Sequence, residues 1–227
     1  MTIELRSARR RLPALILLAA LPGCTILPKA EDLAPRLSLD AGTGGSQTAS
    51  AAMPVSFSVA DPRSEAVFNT SNVAVQTAPL QYQYLEGAEW TDRAPLLLGL
   101  FLERRFENSG LFQAVGDQVS LPVADYALQT DIRAMHLDRT SAQGRAVIAY
   151  GARIVSRRGA TIGTRVFSQN VSVEGNGNAG TVAALNEAAQ RAADETLAWA
   201  EPLIRDDVAA SERAAEERRQ RRSQRGS

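Results

Sequence analysis

Three side-chain types that often carry chemistry occur only once each in this chain of 227 residues, as Cys24, His136 and Lys29. A single cysteine excludes an intramolecular disulfide and a cysteine-rich zinc knuckle. A single histidine excludes a metal cage built from several imidazoles, and the lysine follows no glycine loop of the Walker type. The composition therefore argues against an enzyme, and it predicts neither a bound metal nor a cofactor.

His136 and Asp138 lie two positions apart in a predicted strand, so they are expected to share one face of it. Such a pair could sense pH or transfer a proton. No nucleophile motif such as Gly-x-Ser-x-Gly lies nearby in the sequence. The favoured interpretation is a partly exposed histidine at the end of a strand.

Residues 175–180 match the Gly-x-Gly-x-x-Gly pattern of dinucleotide-binding loops, and Glu195 follows about twenty residues later. In the dinucleotide-binding fold the acidic residue follows a second parallel strand. Here Glu195 falls inside the predicted helix that Gly180 introduces. The pattern therefore favours a flexible turn between a strand and a helix.

Cys24 lies at the end of an amino-terminal targeting pattern. A basic region precedes an apolar stretch of about ten residues, which is roughly half the length of a membrane-spanning helix. Residues 1–23 are therefore interpreted as a signal peptide. The four residues Leu21, Pro22, Gly23 and Cys24 resemble the lipobox of bacterial lipoproteins, in which the cysteine thiol is acylated and becomes the first residue of the mature chain.

The lipobox resemblance implies a triacylated amino terminus, and several acyl chains together anchor a protein stably in a membrane. Thr25, rather than aspartate, follows the cysteine, which resembles lipoproteins sent to the outer membrane of Gram-negative bacteria. The folded part would then face the periplasm, an oxidising space that suits a chain without a second cysteine. The alternative is a plain signal peptide with an incidental cysteine.

The mature chain divides by composition into three parts. Residues 24–53 hold few large apolar side chains and are predicted to be the acylated amino terminus and a flexible tether. Residues 54–205 contain the periodic apolar patterns of a folded body. Residues 206–227, almost without large apolar residues after Val208, are predicted to be a disordered, charged tail.

Alternation of apolar and polar residues predicts three short strands, at residues 54–59, 72–75 and 80–84, and three longer strands, at residues 124–137, 145–155 and 163–173. A fourth short strand is predicted near residues 111–115, before the longer ones. Hairpin-like breaks predict that the last three strands pair antiparallel.

Two helices complete the predicted order, β-β-β-α-β-β-β-β-α. Thr91 or Asp92 is expected to cap the first, which stops at residues 108–110. The second begins near Thr181 and ends or kinks at Pro202. This order predicts a single α+β domain with a mixed, largely antiparallel sheet covered by two main helices.

Charge is distributed unevenly along the chain. The body carries more acidic than basic residues, so it lacks the basic face that a nucleic-acid-binding protein needs. The arginines of the tail could contact anionic lipid headgroups or an acidic partner, or they could simply be solvated. These readings stay open at the level of sequence.

Tyr82, Tyr84 and Trp90 form the densest aromatic cluster in a chain with only 5% aromatic residues. Packing in the core is one interpretation of this cluster. Contact with a partner or a lipid is the other, because Tyr and Trp tolerate half-wet interfaces.

Residues 80–97, which include these aromatics and Pro95, resemble a block of the ABC-type transport auxiliary lipoproteins, among them the paraquat-inducible protein C-like lipoproteins. Residues 106–115, 125–128 and 183–188 resemble the end of that family's first helix, a later strand and the closing helix. The resemblance covers about residues 55–205, which is nearly the whole predicted body.

The resemblance implies a non-catalytic periplasmic subunit, held at the outer membrane by its lipid anchor. Its implied partners are an MCE-domain substrate-binding protein and an ABC permease and ATPase, in a system similar to those that move lipids between membranes. The alternative is a lipoprotein that supports outer-membrane structure or assembly without a transporter. The cargo, the contact surface and the oligomeric state stay open, a homo-oligomer included.

Overall fold

The computed structural model describes residues 35–42, 52–141, 143–175 and 177–225. In these ranges the chain forms nine strands and two helices: β1 (Arg36–Leu37), β2 (Met53–Val59), β3 (Arg63–Ser64), β4 (Asn72–Ala78), β5 (Gln81–Trp90), α1 (Ala94–Asn108), β6 (Phe112–Asp117), β7 (Tyr126–Asp138), β8 (Arg145–Ser156), β9 (Thr161–Ser172) and α2 (Asn178–Arg225). The predicted signal peptide and lipobox lie outside the described residues.

β7 is the central strand of one mixed sheet. Along one edge it pairs in parallel with β2, β3 and β4 in turn, through residues 126–128, 131–132 and 136–138. Its other edge pairs antiparallel with β8, which pairs antiparallel with β9, so the predicted antiparallel run of three long strands is confirmed. β6 flanks β2, while β5 flanks β4 and carries β1 at its end.

Alternation along β8 decides which face of the sheet is covered. The hydroxyl of Tyr150 is hydrogen-bonded to Thr196 Oγ1 of α2 at 2.8 Å, so this side of the strand faces α2. The residues that share its side are buried, namely Ala146, Ile148, Ala152 and Ile154. Val147, Ala149 and Gly151 point the other way and are only partly buried. We call their side of the sheet the helix-free face.

Stacked aromatic rings hold α1 against β2 and β6. Phe106 of α1 stacks on Phe57 of β2 with ring centroids 4.7 Å apart, and Phe57 stacks on Phe112 of β6 at 4.6 Å. All three rings belong to the hydrophobic core. This stack joins α1, β2 and β6 within the core.

The ends of α1 differ partly from expectation. The cap position is Arg93, without a side-chain capping bond, so the predicted cap at Thr91 or Asp92 is wrong. Asp92 Oδ1 instead accepts the Arg93 N–H at 2.6 Å. The predicted stop is confirmed, since the helix ends at Asn108 and Gly110 takes the left-handed φ of +64° that glycine adopts readily.

Residues 35–42 pack on the body, and we call them the strap. β1 extends the sheet at β5, and beyond it Leu39 and Ala41 are buried. The N–H of Asp40 donates to Asn186 Oδ1 of α2 at 2.7 Å. The carbonyl of Ala41 accepts a bond of 3.0 Å from Arg105 Nη1 of α1. The prediction of a flexible tether as far as residue 53 is therefore wrong for the strap.

α2 continues through Pro202 to Arg225, so the predicted end of the helix and the disordered tail are both wrong. Pro202 and Ala198 are exposed, which lets water solvate the Ala198 carbonyl that proline leaves without a helical hydrogen bond. Beyond the proline, Ile204 is fully buried. The hydroxyl of Tyr126 donates to Asp207 Oδ2 at 2.7 Å. Tertiary contacts thus outweigh the local preference for a break.

The predicted fold class is confirmed, since the described residues form an α+β domain with a mixed, largely antiparallel sheet and two main helices. The two-residue strands β1 and β3 are additions to the predicted order. Within the described ranges, neither helix combines the length and the apolar character needed to cross a membrane.

Candidate functional site

The predicted site residues fall into two groups. The lipobox residues lie outside the described residues, so acylation stays a prediction for Leu21, Pro22, Gly23 and Cys24. The three aromatic residues all lie on β5, at positions 82, 84 and 90. The structure separates these three into one core residue and two surface residues.

Trp90 is a core residue, only 1% exposed, so the predicted surface contact is wrong for this side chain. A regular strand would place it on the same face as Tyr84. The pairing of β5 with β4 instead shifts register between Tyr84 and Glu89, where Gly87 has a φ of +70°. This irregularity turns Trp90 into the core.

Tyr82 and Tyr84 lie on the helix-free face and are 37% and 45% exposed. Tyr84 is opposite Ala74 of β4, which is opposite His136 of β7, so the ladder aligns the tyrosine with the histidine. His136 in turn is opposite Val147 of β8, which belongs to the helix-free face. The two tyrosines are thus presented to solvent on the side away from α2.

Tyr82 packs against two buried rings, those of Phe68 and His136. The ring of Phe68, in the turn before β4, stacks on His136 with centroids 6.1 Å apart and planes 12° apart. Tyr82 meets both rings edge to face, at 5.7 Å from Phe68 and 5.4 Å from His136. With the neighbouring Tyr84 these residues form what we call the aromatic patch: Phe68, Tyr82, Tyr84 and His136. Phe68 was not predicted from the sequence, because its only local signal is an isolated aromatic residue in a turn.

His136 is 5% exposed, so the expectation of a partly exposed histidine is wrong. Removal of the ring from water lowers the pKa of His136, and the nearby charge of Asp138 opposes this only in part. Burial, with a smaller effect from Glu65, raises the pKa of Tyr82. Near neutral pH both rings of the patch are therefore uncharged, which suits packing against an apolar partner.

His136 and Asp138 share one face of β7, as predicted. Among the described residues, however, no hydrogen bond joins the two side chains. Asp138 Oδ1 accepts bonds from the Thr140 hydroxyl at 2.6 Å and from its N–H at 2.9 Å. These bonds lower the pKa of Asp138, with smaller effects from Arg145 and His136. Among the described residues His136 Nδ1 has no hydrogen-bond partner. The carboxylate thus orients the β7–β8 turn rather than the imidazole.

A cleft of about 430 Å³ lies further along the helix-free face. Arg63 of β3, Arg133 of β7 and Arg153 of β8 line it. A Cβ atom on Gly151 would lie 3.3 Å from Arg133 Nη2, so the guanidinium lies across the glycine. Asp131 partly neutralises the cleft through an exposed ion pair of 3.8 Å with Arg63. The charged side chains of the cleft border a strand surface that otherwise consists of small and apolar residues.

The glycine motif serves the backbone. Gly175 and Gly177 have left-handed φ values of +77° and +80° in the turn before α2. A Cβ on Gly180 would lie 2.0 Å from the carbonyl oxygen of Glu174, so this position must stay without a side chain. The left-handed turn and the position without a side chain both allow the backbone of the turn to lie close to the start of α2. In the described part of the chain, no group of three or more His, Cys, Asp or Glu side chains could hold a metal ion.

One curated relative is similar to about half of this chain. A protein of Bradyrhizobium diazoefficiens called uncharacterized protein bll6063 is 32% identical over 110 residues, which make up 48% of this chain. The chain covers only 30% of that relative's length.

Two solved structures share the fold. Protein XCC0632 from Xanthomonas campestris superposes with a TM-score of 0.64 at 21% identity, over 77% of this chain and 96% of that one. A second, described as an uncharacterized protein, gives a TM-score of 0.54 at 16% identity over 71% of this chain and 96% of that one. At these identities the likeness supports the fold alone.

The family comparison covers the body as a whole. The profile described as ABC-type transport auxiliary lipoprotein component matches residues 37–196. This range begins in the strap, contains every strand from β2 to β9, and extends well into α2. The chain therefore belongs to the family of ABC-type transport auxiliary lipoprotein components.

Proposed function

We propose that the protein is an outer-membrane-anchored periplasmic lipoprotein that acts as a non-catalytic auxiliary subunit of an ABC transport system of the MCE type. In this proposal an MCE-domain substrate-binding protein, an ABC permease and an ATPase carry lipids between the membranes. Family membership over residues 37–196 is the observation that carries the transport role. The lipobox and Thr25 support the outer-membrane location.

The aromatic patch is the surface that we propose for contact with the transporter. Tyr82 and Tyr84 are exposed side by side over a rigid, buried base of Phe68 and His136. Leu80, in the turn before β5, is 93% exposed and enlarges the apolar surface. Tyrosines held in place by packing lose little conformational entropy on binding, and they are enriched at protein interfaces.

The test is co-purification of the acylated, detergent-solubilised chain with the permease and the MCE-domain protein of the proposed system. Tyr82→Ser with Tyr84→Ser should lower recovery of these partners by about tenfold or more, since truncation of a central interface aromatic typically costs at least ~2 kcal/mol. The matched control is Val119→Ser with Val123→Ser, which alters two other exposed apolar residues.

The two parts of the proposal fail separately. If the wild-type chain recovers neither the permease nor the MCE-domain protein, the transporter role is wrong, and a lipoprotein that supports the outer membrane without a transporter becomes the better hypothesis. If the tyrosine variant and the valine variant recover equal amounts of both proteins, the transporter role stands and the contact surface lies elsewhere.

A further inference from the structure

The distal end of α2 concentrates positive charge. The last eight described residues contain five arginines and no acidic residue: Arg218, Arg219, Arg221, Arg222 and Arg225. Every residue from position 216 to 225 is exposed. We call residues 218–225 the basic tip. Because the tip is helical, these arginines are presented by a rigid support rather than by a coil.

The helix leaves the body before the basic tip begins. Val208 is the last residue of α2 that packs against the core. Three residues later, Ser211 Oγ accepts a hydrogen bond of 3.5 Å from Arg158 Nη2, which lies in the turn between β8 and β9. Residues 212–225 then continue for about 21 Å at 1.5 Å per residue. The arginines of the tip therefore lie beyond Val208 and Ser211, where α2 contacts the body.

The arginines of the tip share one side of the helix. At about 100° per residue, all five fall within an arc of about 160°. The three acidic side chains of the preceding turns fall outside this arc, at Glu212, Glu216 and Glu217. The side of the helix that carries the arginines is therefore positive from end to end.

Contacts within the helix do not account for this charge. Cations in the last turn stabilise a helix through its dipole, and Arg222 and Arg225 already supply them. Arg218, Arg219 and Arg221 lie earlier, where that effect fades. In the part of the chain that the structure describes, none of the five arginines forms an ion pair within 4.0 Å.

We propose that the basic tip binds the surface of a bilayer that contains anionic phospholipids. The proposal rests on the lipoprotein family of the chain, which implies work beside a membrane, and not on the transporter as partner. Arg and Lys side chains near an anionic leaflet are attracted to its surface charge, and the guanidinium group matches the geometry of a phosphate. No large apolar side chain follows Val208, so the contact is electrostatic and superficial.

A bilayer fits the tip better than an acidic protein does. Specific protein interfaces surround a central apolar core with polar groups. The tip has no apolar side chain that could enter such a core, whereas a layer of lipid headgroups requires none. A flat surface that approaches the end of α2 also meets the arginines before it meets the body.

Vesicle flotation tests the proposal with the full chain carrying Cys24→Ser, so that no acyl chain contributes. Vesicles of phosphatidylcholine are compared with vesicles that contain about 30% phosphatidylglycerol, at low salt. The wild-type tip should raise partitioning onto the anionic vesicles at least ~10-fold over the neutral ones, and about 0.5 M NaCl should abolish the difference.

Two charge-matched variants locate the effect. Replacement of the five tip arginines by Gln, which keeps helix propensity, should remove most of the preference for anionic vesicles. Replacement of five exposed body arginines by Gln changes the net charge equally and should leave the preference intact; these are Arg63, Arg104, Arg139, Arg153 and Arg165. Residues 1–23 are common to all variants, so the effect of the tip is taken from the difference between the variants and not from the wild type alone.

Two outcomes overturn the proposal. The first is a wild-type chain that floats equally with neutral and anionic vesicles. The second is an equal loss of binding in the tip variant and the body variant, which would assign the effect to net charge.

Discussion

Truncation of α2 at two different points separates its packed part from its exposed part. A chain that ends at Arg205 loses Asp207, Val208 and Ser211, which contact the sheet. A chain that ends at Ser211 keeps these residues and loses only the exposed length beyond them. We expect the first truncation to destabilise the body and the second to leave its stability almost unchanged.

The magnitude follows from the lost contacts. A hydrogen bond to a charged group contributes about 1.5–3 kcal/mol, and the partly exposed Asp207 places its bond with Tyr126 at the lower end. Partial burial of Val208 adds about 0.5–1 kcal/mol. The free energy of unfolding should therefore fall by about 2–3 kcal/mol, which lowers Tm by about 4–12 °C in a domain of this size.

The assay is urea and thermal unfolding followed by circular dichroism. Loss of the residues after Ser211 should change the free energy of unfolding by no more than about 0.5 kcal/mol. A double-mutant cycle of Tyr126→Phe and Asp207→Ala should give a coupling energy of about 1 kcal/mol or more. Equal stability of the two truncated chains, or an absent coupling, would refute the conclusion that packing beyond Pro202 holds the helix.

Three further predictions concern packing, protonation and acylation. Gly163→Val should destabilise the fold by about 1–3 kcal/mol in urea unfolding, because a Cβ there would lie 2.6 Å from Leu203 Cδ1, and Leu203→Ala in the same chain should relieve part of the cost if the clash is the cause. Burial lowers the pKa of His136 below its unfolded value of 6.5, so the unfolded chain binds more protons than the folded chain does. The free energy of unfolding should therefore fall below about pH 6.5, by at most ~1.4 kcal/mol per pH unit. If His136→Phe shows the same dependence of stability on pH as the wild type, this prediction is contradicted. Cys24→Ala should give an unacylated, uncleaved chain, and a variant that fractionates and migrates on a gel like wild type would exclude the lipoprotein signal.

The sheet was predictable because its signal is local. Along β7, Tyr126, Leu128 and Ile132 are buried and alternate with the polar Gln129, Asp131 and Arg133, and this period of two needs no knowledge of distant residues. The start of α1 was less predictable. Arg93 has no side-chain capping bond, and the preceding Thr91 and Asp92 match the usual preference better than the residue that occupies the position.

The strap and the end of α2 were not predictable for the opposite reason. Leu37, Leu39 and Ala41 are too few to signal a strand, and their burial depends on α1 and α2, which follow much later in the chain. Pro202 is a correct local signal for a break, but Ile204 and Asp207 find partners on the sheet. In both cases contacts between distant residues decide the structure.

The aromatic patch was half predictable. Tyr82 and Tyr84 could be found from composition and spacing, whereas Trp90 could not be separated from them without the register shift at Gly87. His136 is covered by Phe68, which comes from a turn with no pattern of its own. Which side chain covers which is a property of the assembled sheet.

The strap also determines how mechanical force would enter the molecule. If Cys24 is the anchored residue, Arg36 lies twelve positions after it, so the chain between them reaches about 40 Å at most, against about 100 Å if the first attached residue were Met53. A pull on the anchor is then borne first by the parallel pairing of β1 with β5.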